Sequence, residues 1–471
     1  MRLQVRNLGN IREGDIELTK LTIVTGDNNT GKTYLAHTLF GLLSYLTERL
    51  DAIGNSLTQD LADGYNLDIE QVIGMLPERL ETNLIHYVDH RLHLDLAATE
   101  GRFNKTKLFI KLNVDEDYIA KAFESHLSIS DVVAYSAVKV SHDRFIRIKR
   151  INSDVEHIPS QVVREWLSKM VIRNCLSTDL RRLFIASIER SGAAIFRNEL
   201  NLTKNRLMDV AFTSDTDYLK NPIRLLEELQ KSSYPLPIRY NLDFLTTLGT
   251  IQERRSEIAQ KYPEIIKDFS DLMGGGIAVD KNSGNVTFSP SSSPNVRLGM
   301  PESSSSVRSL VIIACYLKHL AAPGDMLIVD EPEQNLHPSK QRRFAQLLAR
   351  LVNAGLNVFI TTHSDYIVRE INSLILLKGL DNNGDTLYKE HGYSHNDLLD
   401  VQTVSLYTIE SARFKASGEA RASRLERVRI RRSEITQCEG IADTTFNKTI
   451  MDMNNLQYDI LSHAERGPDG D

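Results

Sequence analysis

Apolar residues along this chain recur with two periods. The run "KLTIVTG" (20–26) is short, β-branched and closed by glycine, which predicts a strand. Directly after it, "KTYLAHTLFGLLSYL" (32–46) repeats its apolar positions at helical spacing. Far downstream, "DMLIVD" (325–330) and "NVFITTH" (357–363) are apolar at nearly every position, the pattern of parallel strands covered on both faces. Ahead of the first of these, a serine-rich turn, "PESSSS" (301–306), feeds an apolar helix, "SLVIIACYL" (309–317). The serines and prolines of "SPSSSPN" (289–295) read as a flexible linker.

Two long stretches interrupt this pattern. Residues 45–180 mix a helical segment, "DIEQVIGMLPERLETNLIHYV", with the strand-like "KTKLFIKLNV" and "VAYSAVKVSHDRFIRI". Residues 196–265 are mostly helical, as in "NPIRLLEELQKSS" and "TLGTIQERRSEIAQKYPEIIKDF". Neither sustains a heptad over many turns, so no long coiled-coil arm is predicted. Their plain reading is a lid and a short helical dimerisation arm. Near the end, "ARFKASGEARASRLERVRIRRSE" (412–434) reads as a basic helix. Its arginines are open to three readings: tracking phosphates, docking an acidic partner, or solvating a surface. "GIADTTFNKTIMDMNNLQYDIL" (440–461) reads as a final amphipathic helix.

Composition narrows the class. The chain has 471 residues, enough for two to four domains, and is 41% hydrophobic and 25% charged, which suits a globular protein. A net charge of −6 means that any nucleic-acid surface must be a local patch. Cys175, Cys315 and Cys438 are far apart and form no C-x-x-C, so neither a zinc ribbon nor a disulfide framework is suggested. The start lacks signal-peptide features, and the longest apolar run is too short to span a bilayer. A reducing cytoplasm and no membrane partner are the expectation.

The candidate chemistry lies at the ends of the predicted strands. Gly26, Gly31, Lys32 and Thr33 complete G-x-x-x-x-G-K-[ST] between a strand and a helix, the P-loop pattern. Glycines allow the tight turn that points successive N–H groups at one anion, and the helix adds its positive end. Lys32 can reach the outer phosphates and the Thr33 hydroxyl can ligate Mg²⁺. The candidate nucleotide-binding set is therefore Gly26, Asn28, Asn29, Thr30, Gly31, Lys32, Thr33 and Tyr34. The plain alternative is a glycine-rich turn with a solvated lysine; the flanking strand and helix favour the P-loop. Asp330 and Glu331 end a buried strand, as a Walker B pair would: Asp330 toward Mg²⁺, Glu331 toward the attacking water. His363 ends the next strand, where it can sense a terminal phosphate; carboxyl ends of strands are where α/β sheets bind ligands. Ser304, Ser305 and Ser306 precede a helix, where small residues let a phosphate approach.

P-loop, serine-rich signature, D-E-P and a histidine-ended strand, in that order, resemble the ATP-binding-cassette heads of SMC and Rad50 proteins. "DEPEQNLHP", "TTHSDYIVREINSLI", "FIASIERSGAAIF" and "DLMGGGIAVDKNSGNVTFSP" look like the bacterial OLD-like, AAA-labelled subgroup. The resemblance implies an α/β fold: an ABC-type P-loop head with a mixed sheet, helical insertions and a helical tail. It implies head segments at 1–44, 181–195 and 266–395, an inserted α+β region at 45–180, a helical insertion at 196–265 and a tail at 396–471. It also implies ATP and Mg²⁺ as cofactors. Two heads would sandwich two ATPs as a homodimer or higher oligomer. The signature serine, Ser304, would cap the γ-phosphate held by the other head. Serine replaces both signature glycines, at Ser305 and Ser306. No Toprim glutamate and D-x-D, H-N-H motif or Cys/His pair stands out in the sequence. The build thus resembles stand-alone ATPases of bacterial anti-phage systems, Septu ATPases foremost, with PARIS and retron-associated ATPases as rivals. That implies an ATP-hydrolysing subunit that controls a separate effector, an HNH nuclease. A RecF-like repair ATPase acting on DNA is the alternative. A transporter cassette fits neither the "DEPEQNLHP" sequence nor the large insertions.

Overall fold

The computed structural model describes residues 1–49, 65–114, 117–129, 132–152, 158, 160–175, 182–197, 234–281, 283–384, 386–414, 427–442 and 453–461. Its centre is a nine-stranded mixed sheet. The strand order is Lys107–Lys111, Arg2–Leu8, Ile11–Glu17, Arg427–Arg432, Val404–Ala412, Leu21–Gly26, Asn357–Thr362, Met326–Asp330 and Leu183–Ala186. The last five of these run parallel. The P-loop strand Leu21–Gly26 is thus separated from Met326–Asp330 by Asn357–Thr362.

Side-chain alternation explains why both faces are covered. Along Met326–Asp330, Met326 and Ile328 enter one apolar cluster while Leu327 and Val329 enter the other. On the first face sits the helix Lys32–Arg49, which buries Leu35, Leu39, Leu42 and Leu43. On the opposite face the helices Ser305–His319, Pro338–Asn353 and Asp365–Asn382 bury Leu310, Ile313, Phe344, Leu348 and Ile371. Each such aliphatic or aromatic side chain contributes about 1.5–3 kcal/mol relative to exposure.

The edge strand Leu183–Ala186 is finished by a side chain. Asn241, fully buried on the helix Leu236–Ile251, accepts from the Ser187 N–H and donates to the Ile185 carbonyl, taking the place of a further strand. Helix Leu236–Ile251 itself packs into the head, where Leu242, Leu245 and Leu248 join the second cluster. Helix Leu236–Ile251, part of the segment the sequence assigns to a helical arm, thus contributes to the head's core. "NPIRLLEELQKSS" lies outside the described residues.

The region 45–180 holds a four-stranded antiparallel sheet, ordered Tyr65–Asp68, Phe145–Arg150, Val132–Lys139, Phe123–Ile129. The helices Ile69–His90 and Ser160–Cys175 accompany it. It is not a detached insertion, because its strand Lys107–Lys111 pairs with Arg2–Leu8 as the edge of the main sheet. "SPSSSPN" is a hairpin turn: Ser289 and Pro290 end a strand and the Val296 N–H donates to Ser293.

The C-terminal part departs furthest from expectation. Residues 404–412 and 427–432 of the expected helical tail are interior strands of the main sheet. In Arg427–Arg432, Ile430 points into the core while Arg429 and Arg431 pair with Glu410, and Arg432 with Glu17. The described end of the basic stretch is thus a strand, three of whose arginines meet carboxylates within the head; residues 415–426 of that stretch lie outside the described residues. Residues 453–461 are helical and exposed; 443–452 of the final helix lie outside the described residues.

Candidate functional site

The parallel strands present their carboxyl ends to one cavity of about 310 Å³, lined by Asn29, Lys32, Thr33, Tyr34, Glu189 and Glu331 among others. The turn that opens it follows from its glycines. Gly26 and Gly31 have φ of 148° and 107°, and a Cβ on Gly26 would lie 2.6 Å from the Ile409 carbonyl oxygen. Asn29 also takes a positive φ, 63°, which asparagine tolerates. Asn28 and Asn29 are exposed on the rim, and Asn10 Nδ2 donates to the Asn29 carbonyl from the neighbouring hairpin. The Thr30 hydroxyl donates to the Asp27 carbonyl. Lys32 is buried, and its Nζ donates to the carbonyls of Gly26 at 2.8 Å and Asp27 at 2.9 Å. The ammonium therefore lies across the loop, at the start of an 18-residue helix.

Asp330 is fully buried. One of its carboxylate oxygens, Oδ1, accepts from the Thr361 hydroxyl on the adjacent strand. The other, Oδ2, has no hydrogen-bond partner and sits 3.6 Å from the equally unpartnered Nε2 of buried His37. Burial holds the His37 imidazole toward its neutral form, against the pull of Asp330 and Glu189. The buried, unsatisfied Asp330 oxygen next to His37, one turn along the helix from Thr33, has the oxygen chemistry that fits a hard divalent cation such as Mg²⁺.

Glu331 has a φ of 47°, rare for a residue with a long side chain. Such a conformation costs about 1–3 kcal/mol and persists only when its surroundings enforce it. Here the Glu331 N–H donates to both the carbonyl and the hydroxyl of Thr361, while its own carbonyl accepts from Arg190. The left-handed turn swings the carboxylate out of the strand and into the cavity wall. Pro332 and the buried Glu333 follow, and the Glu333 carboxylate accepts from the His363 N–H at 2.7 Å.

The His363 ring stands between the two glutamates. Its Nδ1 is 3.1 Å from Glu333 and 3.6 Å from Glu331. The neighbouring Glu331 carboxylate raises the pKa of His363, aided by the charge of Glu333 and opposed by partial burial. The His363 imidazole in turn holds Glu331 below its ordinary value. Glu333 is the nearer carboxylate, and its own burial pushes its pKa up. An ionised Glu331 with the His363 imidazole 3.6 Å away can orient a water and meet a developing negative charge.

Three of the sequence-derived groups therefore meet: the P-loop, the Asp330–Glu331 pair and His363. The serines do not join them. Ser304 caps the helix Ser305–His319, its hydroxyl accepting from Val307 N, and Ser304 and Ser305 are exposed, outside the lining of this cavity. Four contributors had no assigned role at the sequence level: His37, Glu189, Arg190 and Thr361. Glu189 and Arg190 stand in "FIASIERSG", a segment read only as part of the head; its place after a β-branched run was the available signal.

The family model described as AAA ATPase domain matches residues 1–368, and the chain belongs to that family. Comparison with curated proteins gives no match. Among solved structures, the chain is similar to an Smc head bound to the C-terminal winged-helix domain of ScpA, at 10% identity and TM-score 0.35, covering 92% of this chain and 96% of that one. It is also similar to the SMC head domain from Thermotoga maritima, at 9% identity and TM-score 0.30, covering 92% and 98%. A third is the Smc head with an extended coiled coil from Pyrococcus furiosus, at 10% and 0.33, covering 97% and 98%. Among the described residues no helix is long and apolar enough to cross a membrane.

Proposed function

We propose that this chain binds and hydrolyses ATP with Mg²⁺ in the cavity between the P-loop and Glu331. The observation that carries the reading is convergence: Lys32, Thr33 and Glu331 line one cavity, Asp330 accepts from Thr361 behind it, and the His363 ring stands 3.6 Å from the Glu331 carboxylate. The loop of Gly26, Asn28, Asn29, Thr30 and Gly31 would cradle phosphates through its amides, with Lys32 neutralising their charge and Tyr34 beside them. Thr33 and Asp330 would hold Mg²⁺, which supplies charge neutralisation between phosphates. Glu331 would orient the attacking water and His363 would steady it from the phosphate side. Titration with Mg²⁺-ATP tests the assignment: Lys32→Ala loses binding at least tenfold, and unchanged affinity would contradict it.

Hydrolysis in this reading is shared between two copies. The serines at 304–306 are solvent-facing at the start of a 15-residue helix and absent from the chain's own cavity. They would complete the cavity of a second copy across a two-fold axis, Ser304 capping the γ-phosphate. Serine at 305 and 306 makes that approach bulkier than glycine would.

The finer role we propose is control of a separate effector, an HNH nuclease of a Septu-like anti-phage system, with ATP-closed heads holding it quiet. This rests on the "DEPEQNLHP" subgroup resemblance. The repair alternative needs an exposed basic surface; in the strand Arg427–Arg432 three arginines are paired with Glu410 or Glu17, which offsets the charge the strand presents. Co-purification from the native operon decides between them. A stable complex with a small nuclease supports effector control; a chain that emerges alone and binds duplex DNA only with ATP supports repair.

A further inference from the structure

Arg190 is fully buried, yet no carboxylate accepts from it. Its guanidinium instead donates to four backbone carbonyls. Nε reaches Ser309 at 2.7 Å, Nη1 reaches Ser187 at 3.0 Å and Asp330 at 2.7 Å, and Nη2 reaches Glu331 at 2.8 Å. Those carbonyls belong to three different parts of the head. Ser187 follows the edge strand Leu183–Ala186, Asp330 and Glu331 end the central strand, and Ser309 lies one turn inside the helix that Ser304 caps.

The placement around Glu331 is selective. The carbonyl oxygens of the peptide units on both sides of this residue accept from one guanidinium, while its N–H donates to Thr361. The φ of 47° is thus enforced from two sides. Only a planar fork can bridge these acceptors at once; an ammonium is a point donor on a flexible stem. Burial opposes the charge and lowers the Arg190 pKa to about 10, and the carboxylates of Asp330, Glu333, Glu331 and Glu189 oppose that fall, so the group stays cationic at neutral pH.

We infer that Arg190 is a positioning residue that couples the exposed serine end of helix Ser305–His319 to the aim of the Glu331 carboxylate. A shift of that helix pulls on Ser309, and the rigid guanidinium transmits it to the two peptides that set the turn at Glu331. Contact of Ser304–Ser306 with a partner would in this way be felt at the chain's own water-orienting group. The inference rests on the ATPase reading above.

The test is a double-mutant cycle on single-turnover ATP hydrolysis, using Arg190→Lys and Arg190→Gln with and without Glu331→Gln. In the otherwise wild-type chain, Arg190→Lys lowers the hydrolysis rate on the order of 10²-fold, the effect of misplacing a reacting group by about 1 Å, and leaves ATP affinity unchanged. In the Glu331→Gln background the same substitution changes the residual rate by less than about twofold, because the group it positions is already gone. An equal loss in both backgrounds, or a wild-type rate in Arg190→Lys, overturns the inference. Hydrogen exchange on the unmodified protein decides the matter even if the variants do not fold. ATP protects the segments 305–312 and 328–334 together if they are coupled; a response in one alone, or in neither, overturns the inference. A wild-type protein that binds ATP without any turnover contradicts the ATPase reading itself, a result distinct from turnover without coupling.

Discussion

At the scale of single residues, the site is a set of charges arranged so that each fixes its neighbour. His363 and Glu331, 3.6 Å apart, have pKa values displaced in opposite directions by each other's proximity. Glu331 is consequently ionised throughout the neutral range, and His363 keeps its proton above the ordinary histidine value of about 6.5. The sign for stability follows. The raised histidine contributes fully below its unfolded pKa and loses that contribution as pH rises through its folded one. The lowered glutamate contributes above its unfolded pKa and loses it as pH falls through its folded one. The pair is therefore complete in the mildly acidic to neutral window between those limits. Histidine ring NMR should show His363 titrating above about 6.5 in the wild-type chain and shifting downward in Glu331→Gln. An unshifted titration would mean that Glu331 does not hold the ring. At this scale the sequence was most legible, because Gly26, Lys32, Thr33, Asp330, Glu331 and His363 stand in motifs whose spacing is set by strand ends. His37, Thr361 and Arg190 were not legible. Their roles depend on contacts between different elements of the sheet and its helices, 31 residues apart for Thr361 with Asp330 and 140 for Arg190 with Asp330, and no local pattern encodes such a meeting.

At the scale of elements, periodicity gave the buried parallel strands and their helices, and it failed where composition overrode it. "RVRIRR" was read as part of a basic helix because arginine dominates it. Its alternation is that of a strand, with Ile430 inward and Arg429 and Arg431 on Glu410. "SPSSSPN" was read as a linker because serine and proline break structure, and here they break it for only one turn between strands. The element that carries the most functional consequence is helix Ser305–His319. Its first serine, Ser305, and the capping Ser304 face outward, so its proposed contribution is to another copy. Mixing Lys32→Ala protein with Ser304→Arg protein should restore one working site in mixed dimers, at up to about half the wild-type rate per such dimer. No recovery would place the serines outside the reaction.

At the scale of the whole molecule, the head is assembled from distant pieces of chain. The first 26 residues, the strand 107–111 and the strands 404–412 and 427–432 all enter the same sheet. Removing the C-terminal part would therefore strip interior strands from the head, including the neighbour Val404–Ala412 on which the P-loop strand leans. The central claim is that this sheet exists to set Glu331 against a nucleotide held by the P-loop. It is tested most directly by ATP turnover and retained nucleotide in Glu331→Gln. Turnover should fall on the order of 10²–10⁴-fold, as loss of a general base does, while ATP stays bound. Undiminished turnover with the same substitution would contradict the assignment.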